Sequence, residues 1–163
     1  MRYTVTMKLL LRRIFPIEFF ERPEYFRALV LGLLYTFFLI LQLFSFEKFP
    51  DVIADYHVGL PGLLVAIVLT FFEAASLPFL LSTPLSKVVR NLSRFSTLLS
   101  AFLWLGLATL INAHGYTGNA GIFGDTLASA NGWWFVGFTG LIALSALLVV
   151  WELPARRSVE TTA

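Results

Sequence analysis

Cysteine is absent from all 163 residues. Without a thiol the chain makes no disulfide, attacks none, and offers no thiolate to a metal or an iron–sulfur cluster. Histidine is nearly absent, with only His57 and His114. Two isolated imidazoles with no third ligand nearby in sequence read as surface side chains, so no metal site is expected. There is no Gly-rich phosphate loop, nucleophile elbow or zinc motif. With no catalytic constellation in view, an accessory role is expected before an enzymatic one. Charge is scarce too: 13% of residues are charged, against about 25% in a soluble domain. A chain this short cannot coat several long apolar helices with that little polar surface.

What fills the sequence is apolar, at 58%, and it collects into four blocks. They run over about 28–46, 59–82, 95–111 and 132–151. Each is near the ~20 residues that cross a bilayer as a helix. Lipid admits only helices or closed barrels, and alternating ten-residue strand patterns are missing. The expected fold is therefore all-α: an integral membrane bundle of four transmembrane helices with short interfacial helices. Residues 1–24 would be a cytoplasmic amphipathic segment, 25–153 the membrane domain and 154–163 a cytoplasmic tail. Arg12 and Arg13 interrupt the stretch where a signal peptide would be apolar, so no cleavable signal is expected.

The basic residues are lopsided. Arg2, Lys8, Arg12, Arg13, Arg22, Arg27, Lys87, Arg90, Arg94, Arg156 and Arg157 flank one end of the blocks, and Lys48 alone flanks the other. Positive charge stays cytoplasmic, which predicts a multi-pass protein of the cell inner membrane with both termini inside. These residues read as topology signals and lipid headgroup contacts. A nucleic-acid surface is not expected.

Three connecting segments have helical amphipathicity and are expected to lie on the membrane surface. In the first, Met7, Leu10, Leu11 and Ile14 share a face. In the second, Thr83-Pro84 would cap a short helix in which Leu85, Val88, Val89 and Leu92 oppose Lys87, Arg90 and Arg94. In the third, Phe49, Val52, Ile53 and Tyr56 have i, i+3, i+4, i+7 spacing, with Asp51 and Asp55 opposite. That third stripe, together with Phe123, is also the candidate surface for a partner. Between the third and fourth blocks lies a connection with Gly115, Gly118, Gly121 and Gly124 at every third position. It reads as a turn-rich loop, and its length of about twenty residues is of the kind often tied to function.

One acid interrupts the second block. A charge at mid-bilayer costs at least ~2.5–3.5 kcal/mol, so Glu73 is expected to face the bundle interior, either neutral or hydrogen-bonded. At about 1.5 Å rise per residue, Glu73, Tyr35 and Trp104 lie at similar depth, about 12–14 Å from the same end. The Tyr35 hydroxyl and the Trp104 indole N–H are donors that the carboxylate could accept. Pro78, one turn on, frees the Ala74 carbonyl and is expected to kink its helix. The layer reads as a structural clasp, as a proton or quinone site, or as an acid reaching for another subunit. Trp133, Trp134 and Trp151 bracket the fourth block as interface anchors.

The run from Arg27 through "ALVLGLLYTFFLILQLFSFEKFPDVIADYHVGLP", the acid in "FFEAASLPFLL" and the basic turn from Lys87 to Arg94 resemble the DoxX-like and MauE-like membrane proteins. The resemblance covers roughly residues 27–152. It implies a four-helix membrane protein associated with the maturation of, or electron delivery to, periplasmic redox proteins, or with quinone-linked redox complexes. Many MauE-like members carry Cys-Gly-Cys-Phe-Gly in the second outer loop. The matching stretch here is Ala120-Gly121-Ile122-Phe123-Gly124, so thiol chemistry at that place is excluded. The resemblance thus implies a non-catalytic subunit or assembly factor for a membrane or extracytoplasmic redox partner. The alternative is a quinone-interacting oxidoreductase subunit, with Glu73 moving protons and no cofactor other than quinone, reached through a complex. A small transporter is the weaker alternative, since the two halves share no repeat.

Overall fold

In the computed structural model, which describes residues 22–153, every regular element is helical. The helices are α1 (Pro23–Phe44), α2 (Phe49–Ala54), α3 (Gly62–Leu80), α4 (Lys87–Ala113) and α5 (Trp133–Glu152). The segment 1–21 and the tail 154–163 lie outside the described residues. Four helices, α1, α3, α4 and α5, are long and apolar enough to cross a membrane. The all-α, four-helix expectation therefore holds.

The helix starts differ from the apolar blocks for a physical reason: hydropathy marks the lipid-facing core, whereas capping marks the helix. Pro23 opens α1 at a position where a missing N–H costs nothing, so the helix begins five residues before Ala28. Ser86 caps α4, its hydroxyl accepting from the Val89 N–H at 3.4 Å. The separate surface helix expected from Thr83 onward is corrected here. Thr83, Pro84 and Leu85 precede the helix, and the residues from Lys87 to Arg94 are the first turns of α4, which runs unbroken for 27 residues. No breaker separates Leu92 from Phe95, and Arg90 turns inward over the Phe79 ring at 5.9 Å. Thr83 caps nothing ahead of it and instead donates back to the Pro78 carbonyl at 2.9 Å.

Around the bundle, α1 packs on α3, α3 on α4 and α4 on α5. The ring closes where α5 meets α1, the least extensive of these contacts. α4 has the inverted polarity of a membrane interface. Ser93, Ser96, Thr97 and Ser100 are buried, while Val88, Leu92, Phe95, Phe102 and Leu110 face outward. Small and hydroxylic residues let backbones approach closely, and large apolar ones are left to lipid. Ser96 and Thr97 satisfy their hydroxyls on the Leu92 and Ser93 carbonyls, four residues back.

Ser93 does something different. Its hydroxyl donates to the Ala75 carbonyl at 2.5 Å and accepts from the Phe79 N–H at 3.0 Å. It thus stands inside an i→i−4 rung of α3, beside Pro78. The proline forces the ladder open, and a neighbouring helix supplies the missing partner for both backbone groups.

Residues 23–27 of α1, the start of α4 and the end of α5 share one end of the bundle, here the basic end. At the opposite, loop end α2 rests on α3. The approach is close at Gly62, where any Cβ would strike the Pro50 carbonyl.

Candidate functional site

Glu73 sits on α3 with no exposure. Its neighbours along the helix are apolar, so desolvation would be unsupported unless other helices supplied donors. Two do. The Trp104 indole Nε1 of α4 donates to Glu73 Oε1 at 2.6 Å. The Gln42 Nε2 of α1 donates to the same oxygen at 3.3 Å. Gln42 also donates to the Ile122 carbonyl at 3.0 Å. One amide nitrogen facing two acceptors fixes the orientation of the amide. Three spanning helices and the loop between α4 and α5 therefore meet at a single carboxyl group.

The expected trio comes together only in part. Trp104 reaches Glu73 as anticipated, with its ring edge-on to Phe135 at 6.4 Å. Tyr35 is buried on the same side of α1, but its hydroxyl donates to the Thr97 carbonyl at 3.3 Å, not to the acid. The second donor is Gln42, two turns after Tyr35 on the same face. Gln42 is not among the residues expected at this site. The available signal was its type, since an amide inside a span is seldom left facing lipid. Glu73 Oε2 and Gln42 Oε1 are both buried and, among the described residues, accept no hydrogen bond. The site thus has one saturated oxygen and one vacant acceptor on the same carboxyl, able to carry a proton but closed to solvent.

The stripe put forward as a partner surface lies elsewhere than expected. Phe49, Ile53 and Tyr56 are buried within this chain, and Val52 and Phe123 are half-buried. A short amphipathic helix beside an open bundle end covers that end first. The Tyr56 hydroxyl donates to the Asn119 carbonyl at 3.2 Å. Phe123 packs edge-on to Phe38 at 5.6 Å and to Phe37 at 6.2 Å. Ala120 and Ile122 fill the core.

The loop above them is built, not loose. Asn119 accepts through Oδ1 from the Gly121 and Ser129 N–H groups, and donates through Nδ2 to the Gly124 carbonyl at 3.1 Å. Ser45 of the α1 terminus accepts from the Asp125 N–H at 2.9 Å, and Thr126 donates to the Leu41 carbonyl at 2.8 Å. Gly121 and Gly124 have φ of +68° and +62°, backbone that side chains resist.

On this cap a concavity of about 530 Å³ is lined by Asp55, Tyr56, His57, His114 and Tyr116. The two histidines, distant in sequence, share it. Among the described residues no group of three or more His, Cys, Asp or Glu could hold a metal ion. The Tyr56 and Tyr116 rings meet edge-on at 5.5 Å. Burial raises both phenols above their ordinary range, followed for Tyr56 by Tyr116 and then Asp55, and for Tyr116 by Asp55.

No family model, curated protein or solved structure matches this chain.

Proposed function

We propose that the chain is a non-catalytic membrane subunit or assembly factor of the DoxX/MauE-like kind. It sits in the cell inner membrane with its basic end in the cytoplasm and presents its loop end to an extracytoplasmic redox partner. The observation that carries this reading is the cap. A loop of roughly twenty residues, without regular structure, is tied by side chains to α1 and, through Ile122 and Gln42, to Glu73. Ordering a long loop costs conformational entropy, and a shape fixed in advance lowers the cost of binding a partner. The concavity around His57 and His114 is open for contact on this cap.

Photo-crosslinkers at His57 and His114, followed by gentle extraction and native mass spectrometry, test this. One stoichiometric partner is expected, captured from the loop end. Recovery of the lone chain from native membranes would sink the proposal.

A second reading is favoured by one observation, the vacant Oε2 of Glu73. In it the chain is a quinone-interacting subunit, with Glu73 exchanging a proton and electrons arriving from a partner. Glu73→Gln should then sharply lower quinone reduction by the intact complex while its assembly is unchanged. Normal turnover would remove this reading.

A further inference from the structure

The hydrogen bonds on Glu73 are one-sided. Both donors that reach its carboxyl, the Trp104 indole N–H at 2.6 Å and the Gln42 amide N–H at 3.3 Å, go to Oε1. Among the described residues Oε2 receives none. An ionised carboxylate has two equivalent oxygens, both acceptors only, and a bare buried one bears its full desolvation cost. A neutral carboxylic acid is unequal by nature. Its carbonyl oxygen accepts, while its hydroxyl oxygen donates and needs an acceptor. The pattern fits the acid, with Oε1 as the carbonyl and Oε2 as the hydroxyl.

Gln42 carries the matching group. Its Nε2 has two N–H donors, one on Glu73 Oε1 and one on the Ile122 carbonyl at 3.0 Å. Its Oε1 is buried and, among the described residues, also vacant. That oxygen is bonded to the same carbon as the nitrogen that touches the carboxyl. A single proton on Oε2 therefore completes both side chains.

We propose that Glu73 is a neutral carboxylic acid that donates its Oε2 proton to Gln42 Oε1, and that this proton latches the loop between α4 and α5 to the bundle. The latch goes beyond both readings of function and depends on neither. Donor counting explains it. When the proton leaves, Oε2 becomes a second anionic oxygen in need of a donor, and Gln42 has only the N–H now held by Ile122 to give. Turning that N–H to Oε2 frees the Ile122 carbonyl. The loop then loosens at its buried end, and bulk water reaches the carboxyl and receives the proton.

Other ionisable groups around the site are engaged elsewhere or exposed. Tyr35 of α1 donates to the Thr97 carbonyl. Arg90 of α4 is buried, but fourteen residues, about 21 Å along the helix, from Trp104. Asp125 of the loop faces Lys48 at 3.7 Å. Asp51 and Asp55 of the α2 segment and His114 after α4 are exposed. Glu152 of α5 pairs with Arg27 at the basic end.

The test uses the full chain in lipid nanodiscs, read by infrared spectroscopy and by hydrogen exchange of the loop 115–131. At about pH 6.5, two units above the ordinary Glu value of about 4.3, a protonated-carboxyl C=O band is expected, and Glu73→Gln should remove it. As the pH is raised toward about 9.5, the band should fade and protection of the loop should drop about tenfold in step, the worth of one hydrogen bond. In Glu73→Gln the new amide keeps a carbonyl for both donors and an N–H for Gln42 Oε1, so loop protection should no longer change over that range. Gln42→Leu should cost the loop the same protection at every pH. Absence of the band at about pH 6.5, as an ionised acid bridged by water would give, overturns the proposal. So would a band that persists undiminished across the range, loop protection that falls without the band, or a pH dependence that survives Glu73→Gln.

Discussion

Trp104 and Glu73, thirty-one residues apart in sequence, join α4 to α3 through a 2.6 Å hydrogen bond with no solvent access. A buried acid that loses a partner keeps its desolvation cost and loses the compensation. Trp104→Phe should therefore lower unfolding stability by about 1.5–3 kcal/mol. Glu73→Gln retains an oxygen acceptor for both donors and should cost less than about 1 kcal/mol. Denaturant unfolding in mixed micelles reads both. Equal midpoints for Trp104→Phe and the unmodified protein would show that the bond does not hold the bundle.

The bridge made by Ser93 gives a sharper case, because it exists only where Pro78 has opened α3. Ser93→Ala alone should cost about 1–3 kcal/mol by orphaning the Phe79 N–H and the Ala75 carbonyl. In a Pro78→Ala background that rung can close on itself, and the same substitution should cost distinctly less. A double-mutant cycle measures the difference. Strict additivity would contradict the bridging role.

Gly121 has φ of +68°, and a Cβ there would strike the Tyr56 hydroxyl. Gly121→Ala should cost about 1–2 kcal/mol from backbone conformation alone, and should displace Tyr56 from the Asn119 carbonyl. Limited proteolysis should then cleave within 115–131 faster than in the unmodified chain.

Alkaline pH probes the same corner. The folded chain holds the Tyr56 proton above the ordinary phenol value of 10, first through burial and then through Tyr116 and Asp55. Above about pH 10 the unfolded chain binds fewer protons than the folded one, so stability falls as pH rises. Tyr56→Phe should flatten that alkaline decline, leaving the smaller share from Tyr116, which shifts in the same direction. Unfolding midpoints across a pH series check it.

The four spans were legible because lipid demands long apolar runs, and Glu73 because a carboxylate there has few permitted surroundings. Trp104 followed from depth alone. Gln42 did not: it stands two turns, about 10 Å, further along α1 than Tyr35, so counting depth from the block ends picks the wrong residue on that helix. Tyr35 lies nearer the basic end and meets the Thr97 carbonyl. The α2 stripe was visible as a stripe, but amphipathicity does not say whether the apolar face meets lipid, a partner or the chain's own bundle. The Ser93 bridge could not be read at all: Pro78 announces an open rung, but not which helix fills it.

The hydroxyl stripe of α4 has a consequence for biosynthesis. This span has the lowest mean hydropathy of the four, and its serines and threonine would meet acyl chains if it left the translocon alone. Covered by α3, with Ser93 already in the Ala75–Phe79 gap, it turns Val88, Leu92, Phe95, Phe102 and Leu110 outward and keeps Ser93, Ser96, Thr97 and Ser100 inside. A helical hairpin 62–113 that entered the bilayer as one unit would keep those hydroxyls covered by α3 throughout.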